Sequence, residues 1–245
     1  MKIIATDYDG TLNYKGIDVE KREAIALWRK KGNLFGIVSG RSEQSLKERL
    51  LEDKIEVDFL IANNGATICN GEGKLLKGTV CNGQGVNDLL RFLFNEGCLH
   101  SRIHTKNGHF IIKREEDLSD GEFTISSLPL IEDFYQVSAL FETSDQSRNS
   151  VKNIAEKFAT LYNPLGNRRW IDVVPIGVCK SKGIHSLKEI YGIKESDIIT
   201  VGDSENDIDM LKNFKSFAME NALNEVKAAA KGSVKSVTEI IFKEM

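Results

Sequence analysis

Short apolar runs separated by amphipathic stretches set the pattern of this chain. Ile3-Ile4-Ala5 opens it as a buried strand over Lys2 to Asp7, and Leu34-Phe35-Gly36-Ile37-Val38 and Asp58-Phe59-Leu60-Ile61-Ala62 repeat the type. Near-continuous apolar strands are those of a parallel sheet covered on both faces. Between them, Ile25 and Trp28 mark the apolar face of a helix from Glu20 to Lys31, which Gly32 ends. Ser42 and Glu43 start a second helix running through Leu50-Leu51. After residue 177 the pattern returns with a helix following Lys182-Gly183 and a strand, Asp197 to Gly202. A helix with Met210 and Leu211 comes next, then a strand from Phe214 to Met219. Alternation of this kind predicts an α/β fold with a doubly wound parallel sheet.

Between these halves the period changes. Asn82-Gly83-Gln84-Gly85 reads as a linker, followed by a helix from Val86 to Asn95. Strands are expected at Leu99 to His104, His109 to Lys113, Tyr135 to Glu142 and Trp170 to Val174, with Asn107-Gly108 as a hairpin turn and a helix from Ser147 to Leu161. The expected organisation is a core of residues 1–81 and 177–245 with an inserted α+β domain, 82–176.

Composition narrows the function. Hydrophobic residues make up 41% and charged residues 28%, with a formal net charge of −3. No clustered basic surface of the nucleic-acid type is present, Arg168-Arg169 being too small. No apolar run reaches the roughly 18–20 residues of a membrane span, and the opening strand lacks the layout of a secretion signal. The four cysteines, Cys69, Cys81, Cys98 and Cys179, are scattered, as reduced thiols of a cytoplasmic protein would be.

Chemistry concentrates at strand ends, where open α/β sheets place their sites. The clusters are Asp7-Tyr8-Asp9-Gly10-Thr11, Ser39-Gly40-Arg41, Lys182-Gly183, and Gly202-Asp203-Ser204-Glu205-Asn206-Asp207. Together they suit phosphoryl transfer. One carboxylate attacks phosphorus and another moves the proton. The hydroxyl and helix-start amides at Ser39-Gly40 hold phosphate oxygens, a lysine at a helix start neutralises charge, and Asp203 and Asp207 complete a hard-oxygen site for magnesium. Spacing leaves open which of Asp7 and Asp9 attacks. Lys180 lies two residues before Lys182; Lys182 is preferred because Gly183 follows it and starts the helix. Asn63-Asn64 reads as a turn, with Asn63 a candidate to face the site. The four histidines, His100, His104, His109 and His185, do not cluster, and Trp170 with Phe92, Phe94 and Phe110 reads as the insert's core.

These residues resemble the haloacid dehalogenase superfamily of phosphohydrolases, in particular its Cof-type, sugar-phosphatase-like branch. Asp7-Tyr8-Asp9-Gly10-Thr11-Leu12 is similar to the first motif, Ser39-Gly40-Arg41 to the second, Lys182-Gly183 to the third, and Gly202 to Asp207 with Met210-Leu211 to the fourth. Asn63-Gly65-Ala66 resembles the turn after the third strand, while Lys231 to Thr238 departs from the branch's usual closing turn. The resemblance implies a Rossmann-like core with an α+β cap that supplies specificity. It implies Asp7 as nucleophile and Asp9 as general acid and base. Mg2+ would be held by Asp7, Asp9 (through its carbonyl), Asp203 and Asp207, and phosphate by Thr11, Ser39, Gly40, Lys182 and Asn206. The implied partner is a small phosphorylated metabolite, with no nucleic acid and no membrane, and the chain a monomer or weak homodimer. A phosphomutase and a non-hydrolytic phospho-Asp regulator are the alternatives. A dinucleotide-binding oxidoreductase is excluded because no G-x-G-x-x-G follows the first strand.

Overall fold

The computed structural model describes residues Met1–Met245. The chain divides into two compact units, Met1–Lys77 with Cys179–Met245, and Gly78–Val178. The breaks expected after residues 81 and 176 fall after 77 and 178.

In chain order the first unit begins with β1 (Ile3–Thr6), α1 (Val19–Lys30), β2 (Leu34–Val38), α2 (Glu43–Asp53), β3 (Phe59–Ala62), β4 (Thr67–Asn70) and β5 (Leu75–Gly78). The insert follows with β6 (Cys81–Asn82), α3 (Val86–Asn95), β7 (His100–Thr105), β8 (Gly108–Ile112), β9 (Asp133–Phe134), β10 (Gln136–Leu140), α4 (Ser144–Lys157), β11 (Tyr162–Asn167) and β12 (Trp170–Pro175). The first unit resumes with α5 (Lys180–Tyr191), β13 (Ile198–Gly202), α6 (Ile208–Asn213), β14 (Lys215–Met219), α7 (Asn224–Ala229), β15 (Ser233–Val234) and α8 (Val237–Glu244).

The first unit carries an eight-stranded sheet in the order β15-β14-β13-β1-β2-β3-β4-β5. Every pairing from β15 to β3 is parallel, and β4 runs antiparallel to β3. Strand order reverses between β1 and β13, where Thr6 lies opposite Val201. This switch point is where an open α/β sheet forms its crevice. Alternate β1 residues serve opposite layers. Ile4 packs with Ile25 and Trp28 of α1, Leu46 of α2 and Ile240 of α8. Ile3 and Ala5 pack with Ile184 and Leu187 of α5 and Met210 of α6. Burial on both faces is why the strand reads as an unbroken apolar run, and each such side chain contributes about 1.5–3 kcal/mol relative to exposure.

The insert forms a second sheet, β11-β12-β10-β7-β8, antiparallel throughout, with the Asn107-Gly108 turn joining β7 to β8. Leu89, Leu90 and Leu93 of α3 and Ile154 of α4 pack with Ile103, Val137 and Val173 of this sheet. Strand β11 escapes the sequence pattern because Pro164 and Gly166 interrupt it, and it sits at the sheet edge, where proline is tolerated. The Asn82–Gly85 segment is no loose linker: Asn82 belongs to β6 and the Gly83 amide donates to Glu132 O at 2.9 Å. Helix α4 begins at Ser144 rather than Ser147 because Thr143 and Gln146 form a capping box. Strand β15 and helix α8 close the first unit despite the departure of Lys231 to Thr238 from the family's usual end.

Candidate active site

Strands β1 and β13 end side by side and deliver Asp7 and Asp203 to the switch point. The Asp7 amide still bonds to Val201 O at 2.8 Å. The chain then makes one wide turn over Tyr8–Leu12, with Gly10 at φ +80°. A Cβ at Gly10 would lie 2.5 Å from Asp203 Oδ2, so both backbone sign and space demand glycine there. The turn brings Thr11 Oγ1 to donate to Asp203 Oδ1 at 2.7 Å. Thr11 thus supports a carboxylate, where phosphate binding was expected of it.

The carboxylates of Asp7, Asp203 and Asp207 are all buried and offer oxygens within 4.8 Å of one another. Lys180 Nζ donates to Asp7 Oδ1 and to Asp207 Oδ1, both at 2.6 Å, and is fully buried. The lysine of the site is therefore Lys180, and the expectation for Lys182 is corrected: Lys182 is exposed. Helix α5 starts at Lys180, three residues before Gly183. Residues 180, 183, 184 and 187 share its buried face, and 182 projects away from it. Asp209 of α6 accepts from the Ser181 amide at 2.8 Å and satisfies that helix start.

Burial pushes Asp7 well above the ordinary carboxylate range; Lys180 opposes that, while Asp207 and Asp203 add to it. Burial alone would lower Lys180, but the charges of Asp207 and Asp7 and its bonds to both hold it above the usual lysine value. Fully ionised, three carboxylates face one ammonium, which leaves two negative charges. A hard divalent cation matches both the charge and the all-oxygen donor set. Asp207 also organises its loop, its Oδ2 accepting from the Asp203 and Ser204 amides at 2.9 Å each.

Asp9 lies apart from this trio. Its carboxylate makes a two-pronged pair with Arg41, Nε to Oδ2 at 2.6 Å and Nη2 to Oδ1 at 2.8 Å, and is about half exposed. Ser39 is buried, and its Oγ accepts from the Arg41 amide at 3.2 Å. Gly40 sits between them, in the turn after β2. Asn206 donates from Nδ2 to Asn64 Oδ1 at 3.0 Å. Asn64, not Asn63, makes that contact, while Asn63 donates to Thr67 Oγ1 at 3.2 Å.

From the sequence, Lys180 is weighed but Lys182 preferred, Arg41 falls in the second cluster without a partner, and Asn64 reads only as part of a turn. For Lys180 a clue existed in the i, i+3, i+4, i+7 spacing to Gly183, Ile184 and Leu187. The contacts of Arg41 with Asp9 and of Asn64 with Asn206 carried no such clue, because the partners come from distant segments.

Residues 4–240 match the family described as haloacid dehalogenase-like hydrolase. The chain is 28% identical to the 5-amino-6-(5-phospho-D-ribitylamino)uracil phosphatase YwtE of Bacillus subtilis, across 98% of this chain and 94% of that one. It is 26% identical to the Escherichia coli phosphatase YbjI of the same description, across 94% and 89%. Among solved structures, a Streptococcus mutans protein superposes with a TM-score of 0.85 at 24% identity over 100% and 98% of the two chains. A structure described as a HAD subclass IIB sugar phosphatase does so with a TM-score of 0.82 at 21% identity over 100% and 99%. The motifs at the ends of β1, β2 and β13, the α/β core interrupted by an α+β insert, and a family match over nearly the whole length agree: this chain belongs to the haloacid dehalogenase-like hydrolases.

Proposed function

We propose that the protein is a magnesium-dependent phosphatase that hydrolyses small phosphate monoesters, sugar or sugar-alcohol phosphates, through an aspartyl-phosphate. The observation that carries the reading is Asp7, buried at the β1/β13 switch point, paired to Lys180 and within 4.8 Å of Asp203 and Asp207. Asp7 attacks phosphorus as the ester P–O bond breaks, and Asp9 gives its proton to the departing oxygen. Water then attacks phosphorus, giving a proton to Asp9, and the Asp7–phosphorus bond breaks. Release of Asp9 from Arg41 frees it for both transfers. Lys180 orients Asp7 and opposes the burial that disfavours its ionised form, and the Ser39-Gly40-Arg41 turn offers a hydroxyl and amides to phosphate oxygens. Asp7, Asp203, Asp207 and the Asp9 carbonyl would hold Mg2+, which when bound neutralises phosphate charge.

Selection of the organic group falls to the insert. One face of its sheet carries a hydrogen-bonded row: Gln136 donates to Ser138 Oγ at 2.8 Å and to Asp172 Oδ1 at 3.0 Å, and Ser138 donates to Asp172 Oδ1 at 2.7 Å. His104 lies 3.3 Å from Ser138 Oγ. Rows of this kind suit hydroxyl groups better than charged ones. The names of the relatives support phosphorylated polyols and sugars as the class, and the four free cysteines fit a cytoplasmic setting.

The test is a phosphate-release screen over phosphorylated sugars and sugar alcohols, with magnesium and with chelator, on the wild type and Asp7→Asn. Magnesium-dependent release lost in Asp7→Asn is expected. No release from any compound, or release undiminished in Asp7→Asn, defeats the reading.

A further inference from the structure

The glycine that the wide turn over Tyr8–Leu12 requires is also the residue with most freedom to lose. Gly10 admits the positive φ and the close approach of Asp203, and no other residue type gives up as much backbone entropy when fixed. The turn's own bonds bracket it without touching it: the Leu12 amide donates to Asp7 O at 3.2 Å and the Asn13 amide to Tyr8 O at 2.9 Å. A hold on Gly10 itself comes from the other end of the chain. Asn221 Nδ2 donates to Gly10 O at 3.1 Å, across 211 residues of sequence. The acceptor is a main-chain carbonyl, which cannot donate, so the NH2 end of the Asn221 amide has to face it.

Asn221 lies in the turn after β14 and is exposed, so its side chain fills no part of the core. Its backbone is braced on both sides. The Glu220 amide donates to Val234 O of β15 at 2.9 Å, and the Ala222 amide to Met219 O at 3.0 Å. Ala222 is buried with Leu211, Ala218 and Val226. A short side chain on a fixed support can hold a carbonyl with little loss of its own freedom. A peptide unit is planar, so a bond to Gly10 O fixes the whole Gly10–Thr11 plane. Thr11, at the end of that plane, is the residue whose hydroxyl braces Asp203. Asp9 is the residue just before Gly10. We propose that Asn221 is a positioning residue: it holds the glycine of the turn, and with it the backbone that joins Asp7 and Asp9 to Thr11.

The kinetic part of the test rests on the phosphatase reading; the exchange part does not. Asn221→Ala removes the donor, and Asn221→Asp keeps the shape but turns a carboxylate oxygen toward the Gly10 carbonyl. Amide hydrogen exchange in chelator reads the tie without turnover. In both variants the amides of Leu12 and Asn13, whose bonds close the turn, exchange about fivefold faster, the scale of one lost hydrogen bond, while those of Asp7 and β13 keep their protection. Unchanged exchange at Leu12 and Asn13, an equal rise at Asp7 and β13, or an Asn221→Asp protein that behaves as wild type overturns the proposal. On the best phosphate ester of the screen, each variant lowers kcat about fivefold with KM within about twofold. An unchanged kcat, or a loss confined to KM, overturns the role in turnover. A wild type that releases no phosphate removes the phosphatase reading instead, and the exchange result still decides whether Asn221 holds the turn.

Discussion

Replacing Lys180 by methionine keeps an unbranched apolar stem of similar length and deletes the charge. Each Lys180–carboxylate contact is 2.6 Å long. At an effective dielectric of about 20, a contact of that length is worth about 6 kcal/mol of Coulomb energy. Most of that offsets the cost of taking the ions out of water, so the measurable loss on breaking a buried pair is about 3–5 kcal/mol. Lys180→Met leaves Asp7, Asp203 and Asp207 facing one another with no cation, so the loss belongs at the upper end. Lys182→Met makes the same chemical change on the exposed side of α5 and costs under about 0.5 kcal/mol. Urea unfolding in chelator, with phosphate release measured in parallel, separates the two. Lys180→Met lowers the midpoint at unchanged slope, and magnesium restores part of the loss by supplying a cation to the same carboxylates. Turnover falls at least about 100-fold in Lys180→Met, the scale of losing one preorganised charge-stabilising donor, and stays near wild type in Lys182→Met. Equal effects at the two positions, or a Lys180→Met midpoint equal to wild type, refute the assignment of Lys180 as the buried counter-charge.

Gly10→Ala combines a strained positive φ with overlap on the Asp203 carboxylate, which Thr11 pins. It is expected to cost about 2–4 kcal/mol in urea unfolding, the range of an overpacked and strained site, and to weaken the magnesium dependence of turnover; wild-type values in both assays contradict the close approach. His104 lies in the insert, and burial pushes it down to about 3, with Arg102 and His109 acting in the same direction. Below pH 6.5 the unfolded chain takes up a proton that folded His104 refuses. This contribution to stability is therefore present above about pH 6.5 and is lost as pH falls toward 3, at up to about 1.4 kcal/mol per unit. His104→Gln flattens that slope in pH-dependent unfolding of the full chain; an unchanged slope shows that the imidazole is reached by water.

The central strands β1, β2, β3, β13 and β14 were legible because burial on both faces leaves an apolar run bounded by turn residues, as in Leu34 to Val38 and Ile198 to Val201, whereas β4, β5 and β15 toward the sheet edges were not read. Ends were less legible where a cap set them, as Thr143 and Gln146 do for α4. Strand β11 was hidden by Pro164 and Gly166, which only an edge position allows. The carboxylates of the site were readable because Asp7 and Asp203 each follow an apolar strand directly, and strand ends are where an open sheet gathers its chemistry.

Local order along the chain thus determined the α/β class, the insert and the acids. Which lysine meets those acids was decided by the rotation of α5 about its axis: a helix turns 100° per residue, so two residues separate a fully buried ammonium from an exposed one. That Asp9 sits on Arg41, that Thr11 braces Asp203 and that Asn64 meets Asn206 were likewise tertiary decisions. Each joins side chains from segments about 30 to 190 residues apart, and hydrogen bonds over such separations follow from the packing of the sheet, which sequence spacing does not encode.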